Sequence, residues 1–563
     1  MQDWVHSNNT VTCKAQVDVE ALLHEFLERN CEPSFLRNKH SSFVLKNLGK
    51  LPQNIQGLHC SQPWLVYWTL QAADLLGIVP QLLQQIPADA IVEFLMKCFT
   101  AEELSTATNN STNRNEELPL CGGFSGGPEQ LPHLATTYAS VMSLCILASA
   151  AAQQHFLTNL DCAALDAWFM SLRNDDGGYA MHRGGECDVR ASYCVAVVAS
   201  ILPLPSKDTL LGEESGKFVL SCQTLEGGLS CSPVSTEAHG GYTQCGLAAL
   251  LLMQQFHLLD ATSMAQWLAN RQLEYEGGFN GRINKLADSC YSHWIGSSHV
   301  MLSAGLSLRR SASSDNSPMC AEDIYLLDLV QLMDATTLRI PKVPEMMKVF
   351  DDVAYRRSKE SAATERILSL WSTSSTVRTT FDRKGSDAES HSDASSSSSF
   401  ADIAHLEEEV GSYLFNQRKL QDFVLRCCQN HNGGGLMDKP EHPNDFYHTC
   451  YAMSGVSSAQ NLQYLYHVRQ QAAAGGGRGD DGEETAAAGG VRTSSYVSCS
   501  LNRNWMPISP GDSNNGAVLS IDEALSSVGA LKLALLRPTN PIFNITKERL
   551  VYALRHSLGK TSL

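Results

Sequence analysis

Asp288 and Cys290 stand two positions apart in the run 277–294, which reads GGFNGRINKLADSCYSHW. A carboxylate and a thiolate can share one metal ion. On a helix, positions i and i+2 diverge by about 200°, so this pair converges only where a loop runs into a helix start. Alone, such a pair is more often a surface acid beside a buried thiol, and this chain has 18 cysteines. A distant partner shifts the balance. Asp445-Phe446-Tyr447-His448-Thr449-Cys450-Tyr451 opens a later helix at the equivalent place of its own repeat. Stacked repeats bring equivalent positions together. Asp288, Cys290 and His448 would make three ligands with a fourth position open, the pattern of catalytic zinc.

Arg282 and Lys285 come just before that pair. Two solvated charges are the ordinary reading. After a Gly-rich turn they also fit a phosphate clamp, because Arg can grip two oxygens at once. His239-Gly240-Gly241-Tyr242 is the matching element one repeat earlier, with another donor and glycines that permit close backbone approach. Trp64, Trp68, Tyr138, Tyr193, Tyr242, Trp294, Tyr447 and Tyr451 fall near helix starts or on apolar faces. Most such aromatics are core. In a closed ring of helices they would also line a deep apolar cavity. A basic rim over an aromatic cavity suits a ligand with a diphosphate head and a hydrocarbon tail.

Helices must position these residues. Glycine pairs at 122–123, 177–178, 227–228 and 277–278 recur about every 50 residues, and Gly434-Gly435 resumes the series after a long gap. Apolar runs 136–150, 192–202 and 243–253 follow the pairs, and runs such as 165–172 and 264–273 precede them. Each unit is therefore helix, Gly-Gly turn, helix, with glycine supplying positive φ. Such units bury their faces only by stacking. Further helices are expected at 17–29, 64–76, 91–99, 324–333, 521–536 and 547–558, with a linking turn at 538–545. No strand pattern stands out. The repeats imply an all-α architecture of five or six helix pairs, either an open solenoid or a closed ring. Polar, low-complexity insertions at 101–118, 311–401 and 470–515 interrupt it, the Ser-rich and Gly/Ala-rich parts expected to be disordered. The expected organisation is an N-terminal extension over 1–60 and one domain over 61–310 and 402–562.

Composition sets outer bounds. A net charge of −17 argues against nucleic-acid binding, which needs a basic surface. The sequence has no apolar run long enough for a membrane span. Eighteen cysteines without a signal-peptide pattern in residues 1–10 point to reduced thiols and a cytoplasmic protein.

Several motifs, in order, resemble the β subunits of the protein prenyltransferases, most of all those of protein farnesyltransferase. They are Gln62-Pro63-Trp64, Pro132-His133-Leu134, Gly185-Glu186-Cys187-Asp188-Val189-Arg190, Glu237-Ala238-His239-Gly240-Gly241-Tyr242, the run 277–294, and Asp438-Lys439-Pro440 through Tyr451. The likeness spans roughly 60–310 and 405–465, more weakly 520–560, and omits the insertions. It implies an α/α toroid of six hairpins, and zinc on Asp288, Cys290 and His448. It implies that the cysteine of a CaaX-terminated protein becomes the fourth ligand and attacks farnesyl diphosphate. His239, Arg282, Lys285 and Tyr291 would then stabilise the leaving diphosphate. Gly241, Tyr242, Trp294, Arg190, Tyr193, Cys245, Trp64 and Tyr451 would complete the farnesyl diphosphate site. The peptide's terminal carboxylate would be reached through water by His133, Glu186 and Arg190, and its side chains by Trp64, Trp68 and Tyr447. Trp64 and Tyr451 match bulky residues that favour a C15 donor, and Asp438 a carboxylate linked to magnesium. An α subunit is implied as partner, bringing a lysine to the pocket. Ser289 and His293 depart from the pattern. Alternatives are a geranylgeranyltransferase β subunit and a noncatalytic helical-repeat binding protein. A terpene cyclase is disfavoured, because no Asp-rich acid motif is present.

Overall fold

The computed structural model describes residues 10–27, 34–46, 48, 53–103, 120–314, 415–475, 536–537 and 539–557. The expected helix at 324–333, nearly all of the one at 521–536, and most of the three insertions lie outside the described residues.

Among the described residues, six inner helices form the wall: Gln62–Leu76, Leu134–Ala150, Val189–Ile201, Gly240–Leu252, Tyr291–Ser314 and Phe446–Gly475. Each packs on the next, and Phe446–Gly475 packs back on Gln62–Leu76, so the ring closes. Leu134–Ala150 is buried on nearly every side, as a helix apolar all round must be. The helices Arg37–Leu45, Ala88–Lys97, Cys162–Leu172, Glu213–Ser221, Ala261–Ala269 and Gln417–Cys427 each precede an inner one. Ala88–Lys97 buries only Ala88, Ile91 and Leu95, the single stripe of a helix with one face to solvent. This is the α/α toroid.

The glycine turns set the repeat spacing. Gly277 has φ +76°, and a Cβ there would run into Lys419 of Gln417–Cys427. Gly434 has φ +77°, and a Cβ there would meet the Lys39 carbonyl in Arg37–Leu45. Each of these turns is seated on the outer helix of the following repeat. At Gly434 the following repeat is the first one, so the same contact closes the ring.

One feature differs from expectation. The helix expected to reach Phe99 stops at Lys97, and Phe99–Glu103 pairs antiparallel with Leu120–Phe124. The pairing brings Gly122 against the Thr100 carbonyl and Gly123 under the Trp168 ring, approaches no larger residue permits. The turn expected at 538–545, described from residue 539 on, leads into the helix Lys547–Ser557 and also packs against the inner wall. The carbonyls of Pro541, Ile542, Phe543 and Asn544 accept hydrogen bonds from Gln244, Tyr193, Tyr138 and Tyr67, one from each of four inner helices. Asp74, with no exposed surface, accepts from Arg549 at 2.9 Å and from Thr546, which ties the helix Lys547–Ser557 to the first inner helix.

Candidate metal and anion site

The starts of the inner helices carry the chemistry. His133, Asp188 and His239 are the N-caps of Leu134–Ala150, Val189–Ile201 and Gly240–Leu252, each accepting a backbone N–H two residues on. Asp288 stands in the corresponding place, its Oδ1 accepting from the Cys290 N–H at 2.8 Å. Asp445 does the same for the His448 N–H at 2.7 Å. Capping favours Asp, Asn and small polar groups, and the repeat stacks these groups along one rim.

The ligand atoms of Asp288, Cys290 and His448 lie within 4.8 Å of one another. His448 Nδ1 is 2.7 Å from Asp445 Oδ2, and its Nε2 is 3.3 Å from Asp288 Oδ1. Burial alone would lower the His448 pKa, but hydrogen bonds to Asp288 and Asp445 outweigh it and raise it to about 9. Burial likewise favours a neutral Asp288, yet the His448 partnership holds its carboxyl below the usual range. Burial, with Asp288 adding to it, pushes the Cys290 thiol far up. The site thus retains protons where a cation would be held, and a cation would displace them. The Ser289 N–H donates to the Asp438 carbonyl at 2.8 Å and its hydroxyl to the Met437 carbonyl, joining the two repeats that supply the ligands.

Beside this cluster, His239 Nε2 is 2.9 Å from Tyr291 Oη. Burial, then Arg282, pulls the His239 pKa down to about 4. Arg282 pairs with Glu237 at 2.9 Å, and Lys285 is exposed. Along the rim, Arg190 lies 5.8 Å over the Tyr242 ring and donates from Nε to both oxygens of Asp188 and from Nη2 to Glu186 at 3.2 Å. His133 is 5.5 Å from the His182 ring. Asp438 has a partner on each oxygen: Lys439 on Oδ2, and His442 on Oδ1 at 3.1 Å.

Aromatic rings run inward from the Asp288–Cys290–His448 cluster. Tyr447 joins Trp68 at 5.5 Å and Tyr451 at 4.8 Å, and Trp68 joins Trp64 at 5.5 Å. Trp64 meets Tyr138 at 5.7 Å, and Tyr138 meets Tyr193 at 5.3 Å. Trp294 packs on Tyr451 at 4.4 Å and donates to Tyr447 Oη. Tyr193, Cys245 and Tyr451 are buried, whereas Trp64, Trp68, Tyr242 and Trp294 are half-buried. Sequence reasoning missed Asp445 as partner of His448, Glu237 as partner of Arg282, Asp188 as holder of Arg190, and Lys439 and His442 on Asp438. Helix-start position was the available signal for Asp188 and Asp445.

A closed ring of helix hairpins with an Asp–Cys–His cluster on its rim defines the class: residues 35–545 match the family model of the prenyltransferase alpha-alpha toroid domain. A solved structure, Candida albicans protein geranylgeranyltransferase-I complexed with GGPP, shares the fold with TM-score 0.50 at 16% identity, covering 93% of this chain and 99% of that one. The Arabidopsis thaliana protein farnesyltransferase subunit beta is 32% identical over 76% of this chain and 73% of its own length. The Pisum sativum protein farnesyltransferase subunit beta is 33% identical over 74% and 82%. The chain belongs to the protein farnesyltransferase β-subunit family. The Arabidopsis thaliana geranylgeranyl transferase type-1 subunit beta is 28% identical over 47% of this chain.

Proposed function

We propose that this chain is the catalytic β subunit of a heterodimeric protein farnesyltransferase, working with an α subunit on CaaX-terminated proteins and farnesyl diphosphate. The observation that carries this reading is the convergence of Asp288, Cys290 and His448 within 4.8 Å, from repeats far apart in sequence. One carboxylate, one thiol and one imidazole suit zinc with an open fourth position. When bound, that ion lowers the pKa of an incoming substrate thiol so that it is a thiolate at neutral pH.

The chain's own residues do the rest. Asp445 fixes the His448 ring with Nε2 toward the ligand cluster. Arg282, Lys285, Tyr291 and His239 gather at the diphosphate, and their fixed dipoles and charges meet the negative charge that grows on the leaving group. The substrate sulfur forms a bond to C1 of the farnesyl group as the C1–O bond breaks, and diphosphate departs with the electron pair. Trp64, Tyr193, Tyr242, Cys245, Trp294, Tyr451, Gly241 and Arg190 form the farnesyl diphosphate site. His133, Glu186 and Arg190 reach the peptide's terminal carboxylate through water, and Trp64, Trp68 and Tyr447 line its side chains. Magnesium at Asp438 fits less well, because Lys439 and His442 already hold both oxygens, and no step depends on it.

A C15 donor is favoured over C20 by the bulk of Trp64 and Tyr451, and by the farnesyltransferase relatives matching more of the chain, 76% against 47%. We assign the enzyme to the cytoplasm, where its free thiols stay reduced. The test is co-expression with a candidate α subunit, followed by zinc analysis and transfer from farnesyl or geranylgeranyl diphosphate to a CaaX peptide. Zinc that survives Cys290→Ala plus His448→Ala, or a zinc-loaded heterodimer that transfers neither group, rejects the catalytic reading.

A further inference from the structure

His182 lies in the turn that also carries Glu186. The Met181 N–H donates to the Glu186 carbonyl at 2.8 Å, and the Gly185 N–H to the His182 carbonyl at 2.9 Å. Gly184 takes φ +71° within that turn. The Leu134 N–H donates to the Met181 carbonyl at 2.9 Å, which pins the turn to the helix start that His133 caps. The His133 and His182 rings are 5.5 Å apart. The His182 ring lies on Gly185, where a Cβ would come within 2.8 Å of its Cδ2 and Nε2. Backbone partners also set each ring's tautomer. His133 Nδ1 accepts the Ala135 N–H at 3.1 Å, so the neutral ring carries its proton on Nε2. Burial, then His182, lowers the His133 pKa, which favours that neutral ring at pH 7. His182 Nδ1 is 3.0 Å from the Arg183 carbonyl oxygen. A carbonyl only accepts, so Nδ1 donates, and Nε2 of the neutral His182 ring is a lone pair. The two rings therefore offer one N–H and one acceptor side by side.

A water bound to a carboxylate spends one proton on it. Its second proton needs an acceptor, and its lone pairs need donors. Arg190 and His133 supply donors. Glu186 is an acceptor, with Arg190 Nη2 on its Oε1 at 3.2 Å. We propose that His182 is a further peptide-binding residue, whose Nε2 accepts the second proton of the water that links the CaaX carboxylate to His133, Glu186 and Arg190. This rests on the reading of those three residues as the terminal-carboxylate pocket.

The test is steady-state transfer by the purified heterodimer with farnesyl diphosphate and two CaaX peptides, one ending in a carboxylate and one in a carboxamide. His182→Ala should raise the KM of the carboxylate peptide about tenfold, the scale of one hydrogen bond, while kcat moves less than about twofold. It should leave the KM of the carboxamide peptide unchanged. His182→Gln, whose amide oxygen can take the place of Nε2, should recover most of the loss, and His182→Leu, which fills the space without an acceptor, should not. Equal KM increases for both peptides in His182→Ala would overturn the proposal, because they mark a packing role. An unchanged carboxylate-peptide KM in His182→Ala, with the KM of Glu186→Gln raised, would overturn it and leave the pocket reading intact. If amidation of the peptide and Glu186→Gln both cost nothing, the pocket reading falls and the proposal with it.

Discussion

Asp445→Asn should weaken the metal site without touching a metal ligand. Asp445 makes two contacts with His448: Oδ1 accepts its backbone N–H, and Oδ2 holds Nδ1, each at 2.7 Å. Asn keeps an oxygen for the backbone contact, so the helix start should survive. It loses the charge that orients the ring and raises its basicity. Loss of such a partner typically costs 10–100-fold in metal affinity, or roughly 1.4–2.7 kcal/mol. A second effect opposes this at neutral pH. Without metal, His448 keeps its proton up to about pH 9. At pH 7 a cation must displace that proton across about two pH units, worth roughly 2.7 kcal/mol. Removing Asp445 lowers the His448 pKa and relieves part of that competition. The deficit should therefore be partly masked at pH 7 and nearly full at about pH 9.5, where the ring is mostly deprotonated in both proteins. Competition against a zinc chelator at both pH values measures it. Equal zinc affinity of the two proteins at the higher pH would refute the orienting role of Asp445.

Three other perturbations test separate parts of the molecule. Trp64→Thr should raise the ratio of C20 to C15 transfer in the heterodimer; an unchanged ratio removes Trp64 from the donor pocket. Arg549→Ala leaves Asp74 buried with its charge largely uncompensated, since Arg549 is 6% exposed at its side chain and Asp74 0%. The expected loss is about 3–5 kcal/mol, and a urea-unfolding loss below about 1 kcal/mol would contradict the clasp. His40 is fully buried between Gln429 and the Gly435 N–H, and burial lowers its pKa from 6.5 to about 4. The folded protein then refuses a proton that the unfolded chain takes up, so the stabilisation is whole above pH 6.5 and is lost as the pH falls toward 4. At pH 5 the His40 share of the loss is about 2 kcal/mol. His40→Gln should shrink the difference in unfolding free energy between pH 7 and pH 5 by that amount, and an unchanged difference removes His40 from the acid sensitivity.

The candidate metal site was legible because repetition made it so. Asp288 and His448 lie far apart in sequence, yet both follow a glycine turn and open an inner helix. Stacking alone predicts that such places meet. What repetition could not reveal was partnership across the rim. Nothing in the motif around Arg282 says that Glu237 will hold it, and Asp438 looks like an open metal ligand until Lys439 and His442 are seen on its oxygens. These are pairings between side chains of similar composition, decided by ångström-scale geometry. The strand pair was hidden for another reason. Phe99–Glu103 and Leu120–Phe124 are joined through 104–119, so no short turn signal links them.

The C-terminal turn shows the same limit in its plainest form. Residues 541–544 contribute carbonyls to four inner helices. A backbone carbonyl is the same in every residue, so its use leaves no trace at its own position. The trace lies on the donors. Tyr67, Tyr138 and Tyr193 are buried, and a buried phenol needs a partner for its O–H. Read as aromatic lining alone, Tyr138 and Tyr193 explain their rings but not their hydroxyls. Their hydroxyls call for acceptors, and the carbonyls of Ile542 and Phe543 supply them. The segment that comes to the wall is held there by Asp74 and Arg549.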